Sequence, residues 1–164
     1  MEKSEEKYIC EIMSDGPEMT ESIGAELGKL AFKGLYIALC GELGGGKTTF
    51  TRGLAAGMGV KENVSSPTFI LMREYDGAVT LFHADFYRLE KEAELTSLEI
   101  DDCLRRGVLA AEWADKFPAP EGAAVLRIDF KWHTENLRIL SITAASESAQ
   151  QIAADFADAI KQLV

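Results

Sequence analysis

The chain has 164 residues, with 27 acidic against 17 basic side chains and a formal net charge of −10. This length suffices for a hydrophobic core, and we expect residues 1–164 to form one domain. The acidic excess argues against tight binding of nucleic acid by the chain alone, because such binding needs clustered lysine and arginine.

Cysteine usage and the polar N-terminus indicate the compartment. The three cysteines, Cys10, Cys40 and Cys103, are odd in number and lack metal-ligand spacing. We therefore expect reduced thiols. Residues 1–6 do not resemble a secretory signal, and no apolar run approaches the length of a membrane span. These features predict a cytoplasmic protein without a membrane partner.

The first third of the chain predicts alternating strands and helices. We expect a strand over residues 7–13, then a turn, and then a helix that continues to Ala31. The apolar run 35–40 is typical of a buried strand. It leads directly into a glycine-rich segment, after which residues 48–58 predict a second helix.

The glycine-rich segment 41–49 fits the phosphate-loop pattern, with Gly41, Gly46, Lys47 and Thr48 at the required positions. Its glycines let successive backbone N–H groups point into one concavity, and the helix dipole adds to that field. Lys47 would bring a charge to the outer phosphates of a nucleotide, and the Thr48 hydroxyl would ligate Mg²⁺. The alternative interpretation is a glycine-rich turn before a capped helix.

The remainder of the chain predicts two hairpins, two short helices, a buried strand and a terminal helix. Asp76-Gly77 is a strong hairpin signal, and the helical stretch is expected to break near Ser97. In chain order the expected elements are strands 69–75 and 79–83, helices within 91–106, strand 108–111, strands 124–131 and 137–143, and helix 146–163.

Two acidic residues follow predicted strands. Phosphate-loop enzymes need an acid to hold Mg²⁺ or to position water, usually at the end of an apolar strand. Glu112 follows the apolar run 108–111, which we expect to lie beside the phosphate-loop strand, whereas Asp85 follows a less regular run. The alternatives are a turn cap for Glu112, and an N-cap or a partner of Arg88 for Asp85.

Four weaker candidates remain open. His83 would orient Asp85 or sense phosphate, although a lone histidine on a strand is more often structural. Trp113 would be a lid, an interface anchor or core. Thr68 would reach the metal or the γ-phosphate, or belong to an ordinary proline turn. Arg105-Arg106 would clamp phosphate or close a helix.

Adenine is the default base, because the chain lacks the Asn/Thr-Lys-x-Asp signature of guanine-binding proteins.

Four segments together resemble the TsaE family, also called YjeE. They are Gly-Glu-Leu-Gly-Gly-Gly-Lys-Thr-Thr-Phe-Thr-Arg-Gly (41–53), Ser-Pro-Thr-Phe (66–69), His-Ala-Asp-Phe-Tyr-Arg-Leu (83–89) and Glu-Trp (112–113). The phosphate loop occurs in many families, whereas the other segments in this order are much more specific. The resemblance spans about residues 7–145. It implies an α/β fold of the P-loop NTPase type, a three-layer sandwich with central parallel strands flanked by antiparallel strands.

The resemblance also implies an activity and partners. The family hydrolyses ATP with Mg²⁺ and acts with the TsaB–TsaD pair in forming threonylcarbamoyladenosine at position 37 of tRNA, so tRNA would be reached through the partners. Carried over to this sequence, Thr48 and Glu112 serve the metal, and Glu112, Asp85 and Lys47 are catalytic. The residues that hold the phosphates are Gly44, Gly45, Gly46, Lys47, Thr48 and Thr49.

The chain departs from the family pattern beside these segments. Ala114 stands where proline is usual and Glu99 where glycine is common, which alters a segment expected to face partners. Two other functions stay open. A small-molecule kinase would need an acceptor pocket and mobile arginines, for which Arg105-Arg106 is the only support. A nucleotide-gated binding module would hydrolyse ATP only incidentally.

Overall fold

The computed structural model describes residues 5–42, 46–67 and 70–163, and within them seven strands form one sheet. The strands are β1 (Lys7–Ser14), β2 (Leu35–Gly41), β3 (Met72–Tyr75), β4 (Thr80–Asp85), β5 (Gly107–Glu112), β6 (Ala124–Trp132) and β7 (Arg138–Ala144). The helices are α1 (Pro17–Leu30), α2 (Lys47–Gly57), α3 (Ile100–Arg106) and α4 (Glu147–Lys161), with short 3₁₀ helices at Glu92–Leu98 and Ala114–Lys116.

The strand order places the phosphate-loop strand at the centre of the sheet. The order is β1-β7-β6-β2-β5-β4-β3. Strands β6, β2, β5 and β4 are parallel, whereas β7 and β1 on one side and β3 on the other are antiparallel. This arrangement confirms the predicted fold class, and it confirms that the strand ending at Glu112 lies beside β2.

The sheet is covered on both faces, which is why β2 is apolar at successive positions. Leu35, Ile37 and Leu39 pack in the cluster that α1, α2 and α4 contribute to. Their neighbours Tyr36 and Cys40 point to the opposite face, where α3 packs. Because strand side chains alternate between faces, a strand buried on both sides cannot show a polar alternation. The result is three layers.

Helices α1 and α2 pack backbone against backbone. A Cβ added to Gly53 would lie 1.9 Å from the carbonyl oxygen of Glu21, and one on Gly57 would lie 2.1 Å from that of Ala25. Any larger residue would have to displace main-chain atoms, which cannot rotate away as a side chain can. The glycines therefore fix α2, the helix that begins at Lys47, against α1.

The segment before β3 differs from the prediction. Strand 69–75 was expected, but β3 begins at Met72; Phe69 and Thr68 lie outside the described residues. The N–H groups of Ile70 and Leu71 both donate to the carbonyl of Pro67, at 3.0 and 2.8 Å, and Leu71 has φ 67°. This turn takes up residues that the apolar pattern assigned to the strand.

The two short helices are confirmed, and the break expected near Ser97 lies at Glu99. Glu99 adopts the left-handed conformation, with φ 50° and ψ 52°. That conformation disfavours every residue with a Cβ by about 1–2 kcal/mol, and glycine escapes it. The backbone therefore accounts for the glycine common in the family at this position.

We expect Glu99→Gly to raise the thermal unfolding midpoint. Glycine relieves the strain of the left-handed conformation in the folded state. The greater freedom of glycine in the unfolded chain offsets part of this gain, by about 0.4–1 kcal/mol. The net gain of about 0.5–1 kcal/mol corresponds to roughly 1–4 °C in a chain of this size. Calorimetry should compare it with Glu99→Ala, which removes the side chain but keeps the strain. A midpoint for the glycine variant at or below that of the alanine variant would refute this explanation.

Candidate active site

The predicted site residues meet where the parallel strands end. Glu112 lies in register with Leu39 on β2 and with Asp85 on β4. Because parallel strands bring their carboxyl ends to one edge, both acids reach the side of the sheet on which α2 begins. Asp85 and Glu112 are each only 4% exposed. Gly44 and Gly45, predicted to hold phosphates, lie outside the described residues.

Glu112 accepts hydrogen bonds from two side chains. The Thr48 hydroxyl, in the first turn of α2, donates to its Oε1 at 3.1 Å and its Oε2 at 3.2 Å. His83 Nε2 lies 2.6 Å from Oε2. The two residues that the sequence assigned to a metal, Thr48 and Glu112, are thus direct neighbours.

The bond of His83 corrects one expectation. The sequence suggested that His83 orients Asp85, but its ring contacts Glu112 on the neighbouring strand. His83 lies opposite Ala110 in the β4–β5 register, so Glu112 is its diagonal neighbour on the same face. If the register that pairs Asp85 with Glu112 had been known, the contact could have been predicted, because His83 is two residues before Asp85 on the same face of β4.

Lys47 is buried in the mouth of the loop, with 4% of its surface exposed. Its Nζ donates to the carbonyls of Gly41 at 2.6 Å and Glu42 at 3.2 Å, and lies 4.0 Å from the centroid of the Trp113 ring. Burial lowers the pKa of the ammonium, and the Glu112, Asp115 and Asp85 carboxylates act in the opposite direction. An anionic ligand would further offset the loss of water around this charge.

Trp113 forms a wall beside Lys47. Its φ of 57° is unusual for a residue with a side chain, and such strain is often retained at functional sites. The ring also packs against Tyr87, with centroids 5.2 Å apart, and Tyr87 is 54% exposed. Of the roles left open by the sequence, a pure core position is excluded, because Trp113 is only partly buried and contacts the site lysine.

Two side chains order the loops after β4 and β5. Asp85 Oδ1 accepts from the backbone N–H of Tyr87 at 2.9 Å, an Asx-type turn. Lys116 Nζ donates to the carbonyl of Tyr87 at 2.8 Å and also to that of Leu89, which links the two loops. Sequence reasoning missed Lys116, because a single lysine gives no sign that it contacts distant carbonyls.

Arg105 and Arg106 do not reach the loop. They end α3, on the opposite side of the sheet from α2. Arg106 pairs with Asp102 at 3.0 Å and with Glu74 at 3.2 Å, and Arg105 pairs with Asp102 at 3.4 Å. This position favours the helix-closing role over the phosphate clamp.

Two cavities differ in their position relative to the phosphate loop. One of about 290 Å³ begins at Gly46 and Thr49 and is bounded by Asp15, Thr20 and Glu135, among others. The other, of about 1200 Å³, lies on the α3 side, where five carboxylates and one arginine line it. We assign no nucleotide to the larger cavity, because its carboxylates would repel phosphates.

The chemistry of the donors fits Mg²⁺. Thr48 and Glu112 offer hard oxygen atoms side by side. Over the described ranges no cluster of three or more His, Cys, Asp or Glu residues is arranged as a metal cage. Magnesium is usually held by one or two carboxylates together with water and substrate phosphates, so a cage is not required.

In the described ranges no helix is both long and apolar enough to cross a bilayer.

Comparisons with known proteins point to one family. A family model described as "Threonylcarbamoyl adenosine biosynthesis protein TsaE" matches residues 14–140. The Bacillus subtilis protein named "tRNA threonylcarbamoyladenosine biosynthesis protein TsaE" is 36% identical over 138 residues, 83% of this chain and 86% of that protein. A protein of the same name from Streptomyces coelicolor is 43% identical over 98 residues, 57% of this chain and 66% of its own length. The crystal structure of Bacillus subtilis YdiB matches with a TM-score of 0.76 at 28% identity, covering 94% of this chain and 97% of that one.

Proposed function

Because the chain belongs to the TsaE family, the proteins of tRNA threonylcarbamoyladenosine biosynthesis, we propose that it serves that pathway as a single-domain, cytoplasmic ATPase. It would hydrolyse ATP to ADP and phosphate. The observation that carries the proposal is the arrangement at the start of α2: Lys47 is buried there, and the partly buried Thr48 donates its hydroxyl to the buried carboxylate of Glu112.

Each residue of the cluster has a distinct role in the proposal. Lys47, with Gly44, Gly45, Gly46 and Thr49, binds the phosphates. Thr48 and Glu112 would hold Mg²⁺, which would neutralise charge on the phosphates. Glu112 also orients the attacking water, for which a charged carboxylate is the acceptor. Asp85, its neighbour in register on β4, is the second acid.

The smaller cavity supports one direction for the nucleotide. With its phosphates at Gly46 and Thr49, the ribose and adenine would extend into the space beside Thr20. Asp15 and Glu135 also line this cavity, and their carboxylates would be acceptors for ribose hydroxyls. The Thr20 hydroxyl lies 2.7 Å from Ser14 Oγ, so a buried hydrogen bond holds this wall.

We propose TsaB- and TsaD-like proteins as partners, which would hold the tRNA. Near physiological salt the isolated protein should bind tRNA weakly at best, because its net charge of −10 opposes the phosphate backbone. A gel shift with tRNA and increasing protein, without partners, tests this expectation. A submicromolar complex would contradict the accessory role.

The deciding experiment measures ATP turnover by the protein alone and with its TsaB and TsaD proteins. We expect slow hydrolysis alone and faster hydrolysis with partners. Transfer of labelled phosphate to a small-molecule acceptor would indicate a kinase. Nucleotide-dependent binding of partners without turnover would indicate a binding module.

A further inference from the structure

A fully buried imidazole lies behind the acid of the site. His83 has no exposed surface, and its Nε2 lies 2.6 Å from Oε2 of Glu112, which is itself 4% exposed. The nearest buried positions of β4, namely Leu81, Phe82 and Ala84, are apolar. Burying a polar ring costs free energy unless it makes a hydrogen bond, and an apolar side chain would fill the space without that cost. The ring therefore has a role beyond packing.

The polarity of this hydrogen bond follows from the chemistry of its partners. An ionised carboxylate only accepts hydrogen bonds, so His83 Nε2 must donate. The other ring nitrogen, Nδ1, is buried and has no hydrogen-bond partner among the residues that the structure describes. An imidazole with its proton on Nε2 and none on Nδ1 fits both observations.

This bond makes the two oxygens of Glu112 inequivalent. The Thr48 hydroxyl is nearly equidistant from them, at 3.1 and 3.2 Å, and does not select either one. His83 bonds Oε2 alone, so Oε1 is the oxygen that remains available to a ligand. Of the two side chains, His83 is thus the one that distinguishes the oxygens.

We infer that His83 is a positioning residue: it holds Oε2 of Glu112 so that Oε1 is the oxygen presented to Mg²⁺. The inference rests on the proposed function, since it assigns Glu112 to the metal. It differs from a structural role because only a hydrogen-bond donor at the Nε2 position can supply it.

Two substitutions separate donation from packing. His83→Leu fills the space without a donor, whereas His83→Gln places an amide N–H near the position of Nε2. The measurement is ATP affinity by calorimetry as a function of Mg²⁺ concentration. We expect His83→Leu to raise the Mg²⁺ requirement by roughly 10- to 100-fold, the usual effect of losing a partner of a metal ligand. His83→Gln should restore most of this loss. Affinity without Mg²⁺ should be equal in all three proteins.

The chain supplies a matched control in its other histidine, the exposed His133. His133→Leu should leave the Mg²⁺ requirement unchanged. The chain has two histidines, so the ring signals that remain in a ¹⁵N NMR spectrum of His133→Leu belong to His83, whose surroundings this substitution leaves unaltered. His83 should show a protonated Nε2 and an unprotonated Nδ1, a test that does not depend on any His83 variant folding.

Three results would overturn the inference. The first is a folded His83→Leu with the wild-type Mg²⁺ requirement, and the second is a His83→Gln as impaired as His83→Leu. The third is the reversed protonation pattern in the spectrum. If the wild-type protein hydrolyses ATP with Mg²⁺ while any of these is found, the positioning role fails and the proposed function stands. A wild-type protein that binds no ATP would reject both.

Discussion

Replacement of Glu112 by glutamine should lower ATP turnover by roughly 10²–10⁴-fold, the usual range for losing a general base. The amide has one acceptor oxygen, and the His83 donor will attract it to the position of Oε2. The NH₂ group then occupies the position of Oε1, where it cannot accept from water or bind a cation. At saturating Mg²⁺ nucleotide binding should largely survive, because it depends on Lys47 and the loop N–H groups, although the Mg²⁺ requirement should rise as in His83→Leu.

Phosphate release and ATP calorimetry, with partners present, measure the two effects separately. Glu121→Gln is the control for net charge, since Glu121 is an exposed acid at the larger cavity. A trapped ATP state should also prolong any nucleotide-dependent partner complex. Wild-type turnover by Glu112→Gln would move the catalytic role to Asp85 and leave Glu112 as a structural cap.

Lys47→Ala should abolish tight ATP binding. A hydrogen bond to a charged group contributes about 1.5–3 kcal/mol. Losing one such bond should lower the affinity for ATP by roughly 10- to 100-fold, and losing more than one should lower it further. The ammonium is already held in the loop mouth by the carbonyls of Gly41 and Glu42 and by the Trp113 ring, so little further ordering is needed when phosphate binds.

Calorimetry with Mg²⁺ and ATP tests this second expectation. Lys61→Ala, at an exposed lysine, removes the same charge elsewhere and should bind normally. Thermal unfolding of Lys47→Ala should be recorded as well, because the substitution also removes the buried contacts to Gly41 and Glu42. Wild-type affinity in a folded Lys47→Ala protein would rule out a nucleotide site at this loop.

The parts of the fold and site that follow from local pattern could be predicted from the sequence. The order strand, glycine loop and helix over residues 35–58 predicts that the strand is central in the sheet. The apolar run 108–111 then predicts a neighbouring strand, which ends in the acid Glu112. That Thr48 and Glu112 are neighbours follows from the same logic.

What depends on register or on distant backbone could not be predicted. The partner of His83 is set by how β4 aligns with β5, and the apolar pattern of the two strands does not encode that alignment. The start of β3 depends on the carbonyl of Pro67, and the role of Lys116 depends on carbonyls near residue 88. Glu99 was recognised as a departure from the family, but only its backbone angles explain the departure.

The pairing of β1 with β7 has a consequence for how the chain is made. In the sheet as described, β7 is the one neighbour of β1, yet β1 ends at Ser14 and β7 begins at Arg138. Ribosomes add roughly 5–20 residues per second, so β1 waits on the order of ten seconds for its partner. The apolar strand β2 also waits, because both its neighbours, β5 and β6, are made later. The nascent chain therefore exposes unpaired strand edges until β7 has been made, and such edges are prone to aggregate.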